Sequence, residues 1–296
     1  MKKLYWGIVG ALRSLRSKTK KGYYKIMLME AGKPSVRKYL DKVMAHPSML
    51  RDASGDFHYE FSQLPVYDEL NRLYPLREKA GDGDTFTRAV NLMGWLCSNT
   101  QYSGYSAYDP SKPEKQFLKL MEYAFQNKFS HAVNCAALAI ALSDCLMAVG
   151  IHAIPVWQAA AHGSGFWHVT VHVFLPEEGR WVMLDPSFAL YLTDGAGRAL
   201  DLMEARDRYL RNEPLTIARY NLNGGQFFRD KYLSTFLMPC SFEFSLWRGN
   251  APELRNPSRM VYLIPEGVEP EDASMTLISQ EQLLASPSGG NYDHRL

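Results

Sequence analysis

The chain has 296 residues, 46% of them hydrophobic and 22% charged, with a formal net charge of +2. That is ordinary composition for one large globular domain or two small ones, with enough apolar side chains for a sizeable core. The near-balanced charge gives no argument for nucleic acid as a partner.

Eight lysines and arginines lie in the first thirty residues (Lys2, Lys3, Arg13, Arg16, Lys18, Lys20, Lys21 and Lys25). They read as a solvated helix face or a weak contact for an acidic surface. The apolar stretch Leu4–Leu12 holds Trp6, Gly7 and Gly10 and meets Arg13 with no small-residue cleavage site behind it, so a secretory signal is not expected. No run approaches the roughly 18 apolar residues of a membrane span, so no integral membrane segment is expected. The four cysteines, Cys97, Cys135, Cys145 and Cys240, include no Cys-x-x-Cys pair. Neither a zinc site nor a disulfide framework is indicated, and free thiols in the cytoplasm fit best.

In chain order, residues 1–60 read as mostly helical, from Ile26, Leu28 and Met29 through Val36, Tyr39, Leu40, Val43 and Met44, with the polar stretch Arg51–Asp56 breaking the pattern. A second helical stretch covers Val66–Leu73, and Ala80–Asp84 is a loop rich in Gly and Asp. A helix follows over about Thr85–Ser98. The loop Asn99–Pro110 is rich in Tyr, Ser and Gly, and Ser111-Lys112-Pro113-Glu114 has the form of a capping box for a helix ending near Gln126–Lys128. Asn134 is a good N-cap, Ala136–Val149 is apolar almost all round, and Gly150 is a stop, which predicts a helix buried on every side. Strands are predicted at Ile151–Trp157, Trp167–Leu175 and Arg180–Leu184, the last two joined as an antiparallel hairpin by Pro176-Glu177-Glu178-Gly179. Beyond Asp185 a helix near Leu202–Asn212, strands around Phe242–Trp247 and Met260–Ile264, and a frayed tail from Ser286 are expected. The whole is an α+β pattern: 1–80 a helical extension, 81–265 the core and 266–296 a tail.

One thiol stands out. Behind an N-cap, Cys135 opens a helix, where unpaired N–H groups and the helix dipole favour thiolate over thiol. A buried small hydrophobe is the plainer reading, as for the other three cysteines. Four of the eight histidines, His152, His162, His168 and His172, fall in Ile151–Leu175. His168-Val169-Thr170-Val171-His172 would suit a metal only as a helix; the β-branched residues make it a strand, which puts the two histidines on one face about 13 Å apart. If Leu175 pairs with Arg180, Asp185 lies opposite Thr170 and diagonal to both histidines, so strand geometry leaves the choice between His168 and His172 open. Asp185-Pro186 also reads as a simple turn start.

Asn134-Cys135-Ala136-Ala137-Leu138-Ala139-Ile140 with Gly150-Ile151-His152-Ala153, then His168–Val173, then Trp181-Val182-Met183-Leu184-Asp185-Pro186, resemble in order the motifs of the transglutaminase-like superfamily. A weaker likeness around Leu92-Met93-Gly94-Trp95 extends towards residue 85. The resemblance implies a papain-like, transglutaminase-like core and a Cys135, His168, Asp185 triad. It also implies that His168 is the base and puts His172 where relatives often carry an acid. It implies thiol-dependent acyl transfer on a peptide or protein substrate without metal or cofactor. Hydrolysis of a peptide or amide is the first reading. Transglutaminase-type amide exchange and a non-catalytic peptide-binding scaffold are the alternatives.

The backbone N–H of Cys135 is a natural oxyanion donor, with Gln101, Gln126 and Asn127 as candidates for a second. Tyr102, Tyr105, Tyr108, Trp157, Phe166, Trp167 and Trp181 could line a substrate groove or simply pack. His162-Gly163-Ser164-Gly165 reads as a flexible loop before the histidine strand and not as a nucleophile elbow, since no strand–turn–helix pattern surrounds Ser164.

Overall fold

The computed structural model describes residues 34–53, 55–102, 118–126, 132–218 and 232–287. Ile26, Leu28, Met29, Tyr105, Tyr108, Asn127 and the Ser111 capping box lie outside them, as does the last part of the tail.

The helices in chain order are α1 (Pro34–Ala45), α2 (Pro65–Leu73), α3 (Leu76–Ala80), α4 (Thr85–Asn99), α5 (Leu118–Gln126), α6 (Cys135–Ala148) and α7 (Leu202–Leu210). A π-helical turn, Leu233–Leu237, runs into the short α8 (Met238–Cys240), and α9 (Gln280–Leu283) follows. The strands are β1 (Ala153–Ala159), β2 (Trp167–Leu175), β3 (Arg180–Asp185), β4 (Leu190–Thr193), β5 (Thr216–Ala218), β6 (Glu243–Leu246), β7 (Val261–Leu263) and β8 (Thr276–Leu277). They form one sheet in the order β5-β4-β3-β2-β1-β6-β7-β8. Every neighbouring pair is antiparallel except β7 with β8. The α+β class expected from the pattern is the class observed.

The hydrophobic helix expected after Asn134 is α6. All fourteen of its residues are buried, because it packs against β1 and β2 as well as α2, α4 and α5. With neighbours all round, no polar face is needed. Gly150 adopts φ 80 just after the helix, a conformation open to glycine at little cost. The chain can therefore reverse at once into β1.

The hairpin register is the one anticipated: Leu175 pairs with Arg180, and the pairing continues through His172 with Met183 to Val171 with Leu184. On the other side of β2, His168 faces Gln158 and His172 faces Ile154 of β1.

The helical expectation for residues 1–60 holds at α1 and fails beyond it. Pro47 removes a backbone donor just after α1. The chain then runs extended along other segments, with Leu50 N–H donating to the Ile264 carbonyl (3.0 Å) and Glu60 N–H to that of Arg248 (2.9 Å). Strands β4, β5 and β8 and the short helices α3, α8 and α9 have no counterpart among the expected elements. The buried core is continuous from Leu40 in α1 to Leu283 in α9.

Arg206 of α7 is fully buried. It donates to the backbone carbonyls of His46, Pro47 and Ser241, tying the end of α1 to the segment after α8. Among the described residues no helix is long and apolar enough to cross a membrane.

Candidate active site

The N-cap works as its residue type predicts. Asn134 has extended backbone (φ −82, ψ 178), and its side chain accepts the Ala137 N–H at 2.9 Å. Cys135 is therefore the first helical residue, with its side chain 5% exposed. The approach to it is fixed by Val133, whose N–H donates to the Gln101 carbonyl at 2.9 Å and which bridges Tyr102 in parallel. The Cys97 thiol, near the end of α4, donates to the Pro186 carbonyl at 3.0 Å. The end of α4 is thus anchored beside the end of β3, and the chain just after it pairs with the residues that lead into Cys135.

His168 is the second residue of β2 and Asp185 the last of β3, and both are fully buried. His168 Nε2 and Asp185 Oδ2 lie 2.8 Å apart, a length suited to a charge-assisted bond. The acid being the acceptor, Nε2 carries the proton. Face parity alone left two histidines in contention; the carboxylate is bonded to His168. Asp185 Oδ1 accepts the Ser187 N–H at 2.9 Å. The two oxygens are thus divided: Oδ1 starts the turn and Oδ2 bonds the imidazole.

Burial opposes a charge on His168, but the Asp185 carboxylate and the neighbouring Cys135 thiol outweigh it and push its pKa up to about 10. Nδ1 has no hydrogen-bond partner within bonding geometry, though the thiol is near enough to act on the ring. Bonds of this kind are commonly long in the unliganded protein and tighten with substrate bound. Burial holds the Cys145 thiol well above the usual range, and burial with the neighbouring Cys135 does the same to Cys240.

Two features had no signal in the sequence. The Tyr232 hydroxyl donates to Asp185 Oδ2 at 2.7 Å from a position 47 residues away. The Phe236 ring meets the His168 ring edge-on at 4.7 Å, and Phe188 lies 6.1 Å from it. Tyr232 directly precedes the π-helical turn that carries Phe236. Only the fold brings this segment to the histidine strand.

The remaining candidates divide. Gln101 reaches the neighbourhood of Cys135 through its backbone carbonyl, and Gln126 ends α5. Of the aromatics, Tyr102 packs on Phe188 at 5.8 Å, Trp157 on Trp247 at 4.6 Å and Phe166 on Tyr39 at 5.6 Å. Trp181 donates to the Ala285 carbonyl. Trp167, next to His168, stands 43% exposed. The loop before β2 is closed by Ala160 N–H donating to the Phe166 carbonyl and contains no nucleophile elbow. His172 is buried, and neither ring nitrogen has a hydrogen-bond partner. Burial depresses its pKa to about 4. Among the described residues no group of three His, Cys, Asp or Glu side chains is placed to hold a metal ion.

One mixed α+β fold thus carries a cysteine at the start of a buried helix and a bonded histidine–acid pair on adjacent antiparallel strands. Residues 76–186 match the Transglutaminase-like superfamily, a span that holds Cys135, His168 and Asp185. Among solved structures, a candidate cysteine protease from Cytophaga hutchinsonii is similar over 62% of this chain and 51% of that one, at 13% identity and a TM-score of 0.33. The chain thus spans about half the length of that protein. No curated protein matches it.

Proposed function

We propose that the protein catalyses thiol-dependent acyl transfer, with hydrolysis of a peptide or amide bond as its reaction. The observation that carries this reading is the buried His168–Asp185 hydrogen bond, which leaves His168 Nδ1 free on a ring adjoining Cys135.

Nδ1 takes the thiol proton, and the Cys135 sulfur attacks the carbonyl carbon of the substrate. The carbonyl electron pair moves to oxygen, and the Cys135 backbone N–H at the helix start donates to it. Collapse of this adduct expels the amine, which takes the proton from the His168 imidazolium. Water then repeats the sequence on the thioester: His168 accepts its proton, and sulfur departs as the acid product forms. Asp185 fixes the tautomer and stabilises the imidazolium throughout.

Labelling with iodoacetamide, followed by mapping of the modified cysteine, tests the reading. Cys135 is expected to react fastest, since burial keeps Cys145 and Cys240 protonated. The Cys135→Ala variant should lose that label. Equal labelling of the variant would refute the nucleophile assignment. Incorporation of a labelled amine into a glutamine peptide would replace hydrolysis with amide exchange. Peptide binding with an unreactive Cys135 would make the chain a scaffold.

A further inference from the structure

We propose that Tyr232 is a positioning residue of this site, whose hydroxyl restrains the Asp185 oxygen facing His168 and moderates how tightly the imidazole holds its proton. The inference rests on the thiol reading above.

The geometry is specific to one oxygen. Oδ2 receives both the Tyr232 O–H at 2.7 Å and the His168 N–H at 2.8 Å, while Oδ1 is occupied by the Ser187 N–H at 2.9 Å. The Tyr232 ring needs no hydroxyl for its packing: it is fully buried, with Phe188 edge-on at 5.2 Å. The hydroxyl spends its hydrogen bond on the one atom that governs His168. Two donors on one oxygen share its negative charge, so each holds the other's bond weaker than it would be alone.

That competition matters for turnover. With Asp185 and Cys135 beside it, His168 is pushed up to about 10, where an imidazolium releases its proton reluctantly. Acylation requires that release to the leaving amine, and transfer is most efficient when the donor's affinity lies near the working pH. Tyr232 acts in the needed direction. Burial and the Asp185 carboxylate hold its own phenol well above the usual range, so it stays a donor throughout. The other titratable groups around the pair are Cys135 on α6, Cys240 on α8, Tyr102 beside Tyr232 and Cys97 at the Pro186 carbonyl. Of these, Cys240 is held protonated by burial, as Tyr232 itself is.

The pH dependence of Cys135 alkylation by iodoacetamide reads this without knowledge of the substrate. In the full-length wild type, the rate should show an upper inflection where His168 loses its proton. Tyr232→Phe keeps the ring and removes the donor, so that inflection should rise by about half to one pH unit. Placing 3-fluorotyrosine at 232 strengthens the donor in the same shape and should lower it. If the phenylalanine variant does not fold, the fluorinated protein decides alone. An inflection unmoved in folded protein, or moved in the direction opposite to that expected for the substitution, overturns the inference. A purely structural Tyr232 would lower the melting temperature and leave the inflection in place. If wild-type Cys135 reacts no faster than a free thiol, the thiol reading itself fails, and this inference falls with it.

Discussion

Replacing His172 with leucine should stabilise the protein, and should do so more as the pH falls. His172 sits in the middle of β2, opposite Ile154 on one side and Met183 on the other, 1% exposed. Neither ring nitrogen is hydrogen-bonded, and an unsatisfied buried polar group costs about 1–3 kcal/mol. Leucine of similar bulk should therefore recover about 1 kcal/mol or more at neutral pH. The pH dependence gives the sharper test. Burial lowers the folded-state pKa of His172 from 6.5 to about 4. The unfolded chain thus binds a proton that the folded chain refuses throughout that interval. His172 leaves stability intact above about pH 6.5 and erodes it as the pH falls towards 4, by about 3 kcal/mol over the whole range. Urea unfolding followed by tryptophan fluorescence, at intervals between pH 7.5 and 4.5, gives the difference between variant and wild type. Other titrating groups cancel in that difference when the slopes with urea agree. The gap should widen by about 2–3 kcal/mol on going to the acid end. Parallel curves would refute the picture of a buried neutral imidazole.

Asp185→Asn should slow turnover by about two to four orders of magnitude while leaving the fold intact, because the amide cannot stabilise the imidazolium; single-turnover kinetics on a hydrolysed substrate measures it. Asn134→Ala removes the bond to the Ala137 N–H and should cost about 1 kcal/mol in urea unfolding, whereas Asn134→Asp should retain most of it. Asp144→Ala leaves the Arg255 guanidinium buried without its carboxylate. It should destabilise by about 3–5 kcal/mol, seen as a melting temperature lower by roughly 10 °C.

How legible these features were depends on how local their causes are. Asn134 caps its own helix, and the four residues Pro176–Gly179 set the hairpin register, so α6 and the β2–β3 pairing could be read from short stretches. That register placed Asp185 within reach of a histidine but could not choose between His168 and His172, which share a face. The choice depends on side-chain bonds formed only in the folded protein. Tyr232 was invisible because nothing near it marks a partner 47 residues away. The extended run after α1 carried a breaker in Pro47, yet its hydrogen-bond partners, Ile264 and Arg248, lie some 190 residues or more downstream. Strands β4, β5 and β8 are two to four residues long, too short for an alternating pattern to stand out.

Asp185 shows how local and distant causes meet at one side chain. Its Oδ1 is committed to the Ser187 N–H, two residues on, so the turn after β3 orients the carboxylate before any distant contact forms. With one oxygen held by the local backbone, the other is directed at the neighbouring strand, and β2–β3 pairing puts His168 within 2.8 Å of it. Two short-range features, a turn and a hairpin, therefore build the acid–base pair. The segments that bring Cys135, Tyr232 and Phe236 to this pair come from outside the hairpin and require the whole core. Substitutions in the Asp185–Ala189 turn should thus disturb the pair directly. Substitutions that loosen α8 or the Arg206 anchor should instead leave the His168–Asp185 bond in place and change what surrounds it. Asp185→Asn and Arg206→Met separate the two cases: the first should abolish the upper inflection in Cys135 alkylation. The second should preserve an inflection at a shifted pH, in a protein of lower melting temperature. Loss of the inflection in folded Arg206→Met would show that the pair itself depends on the distant core.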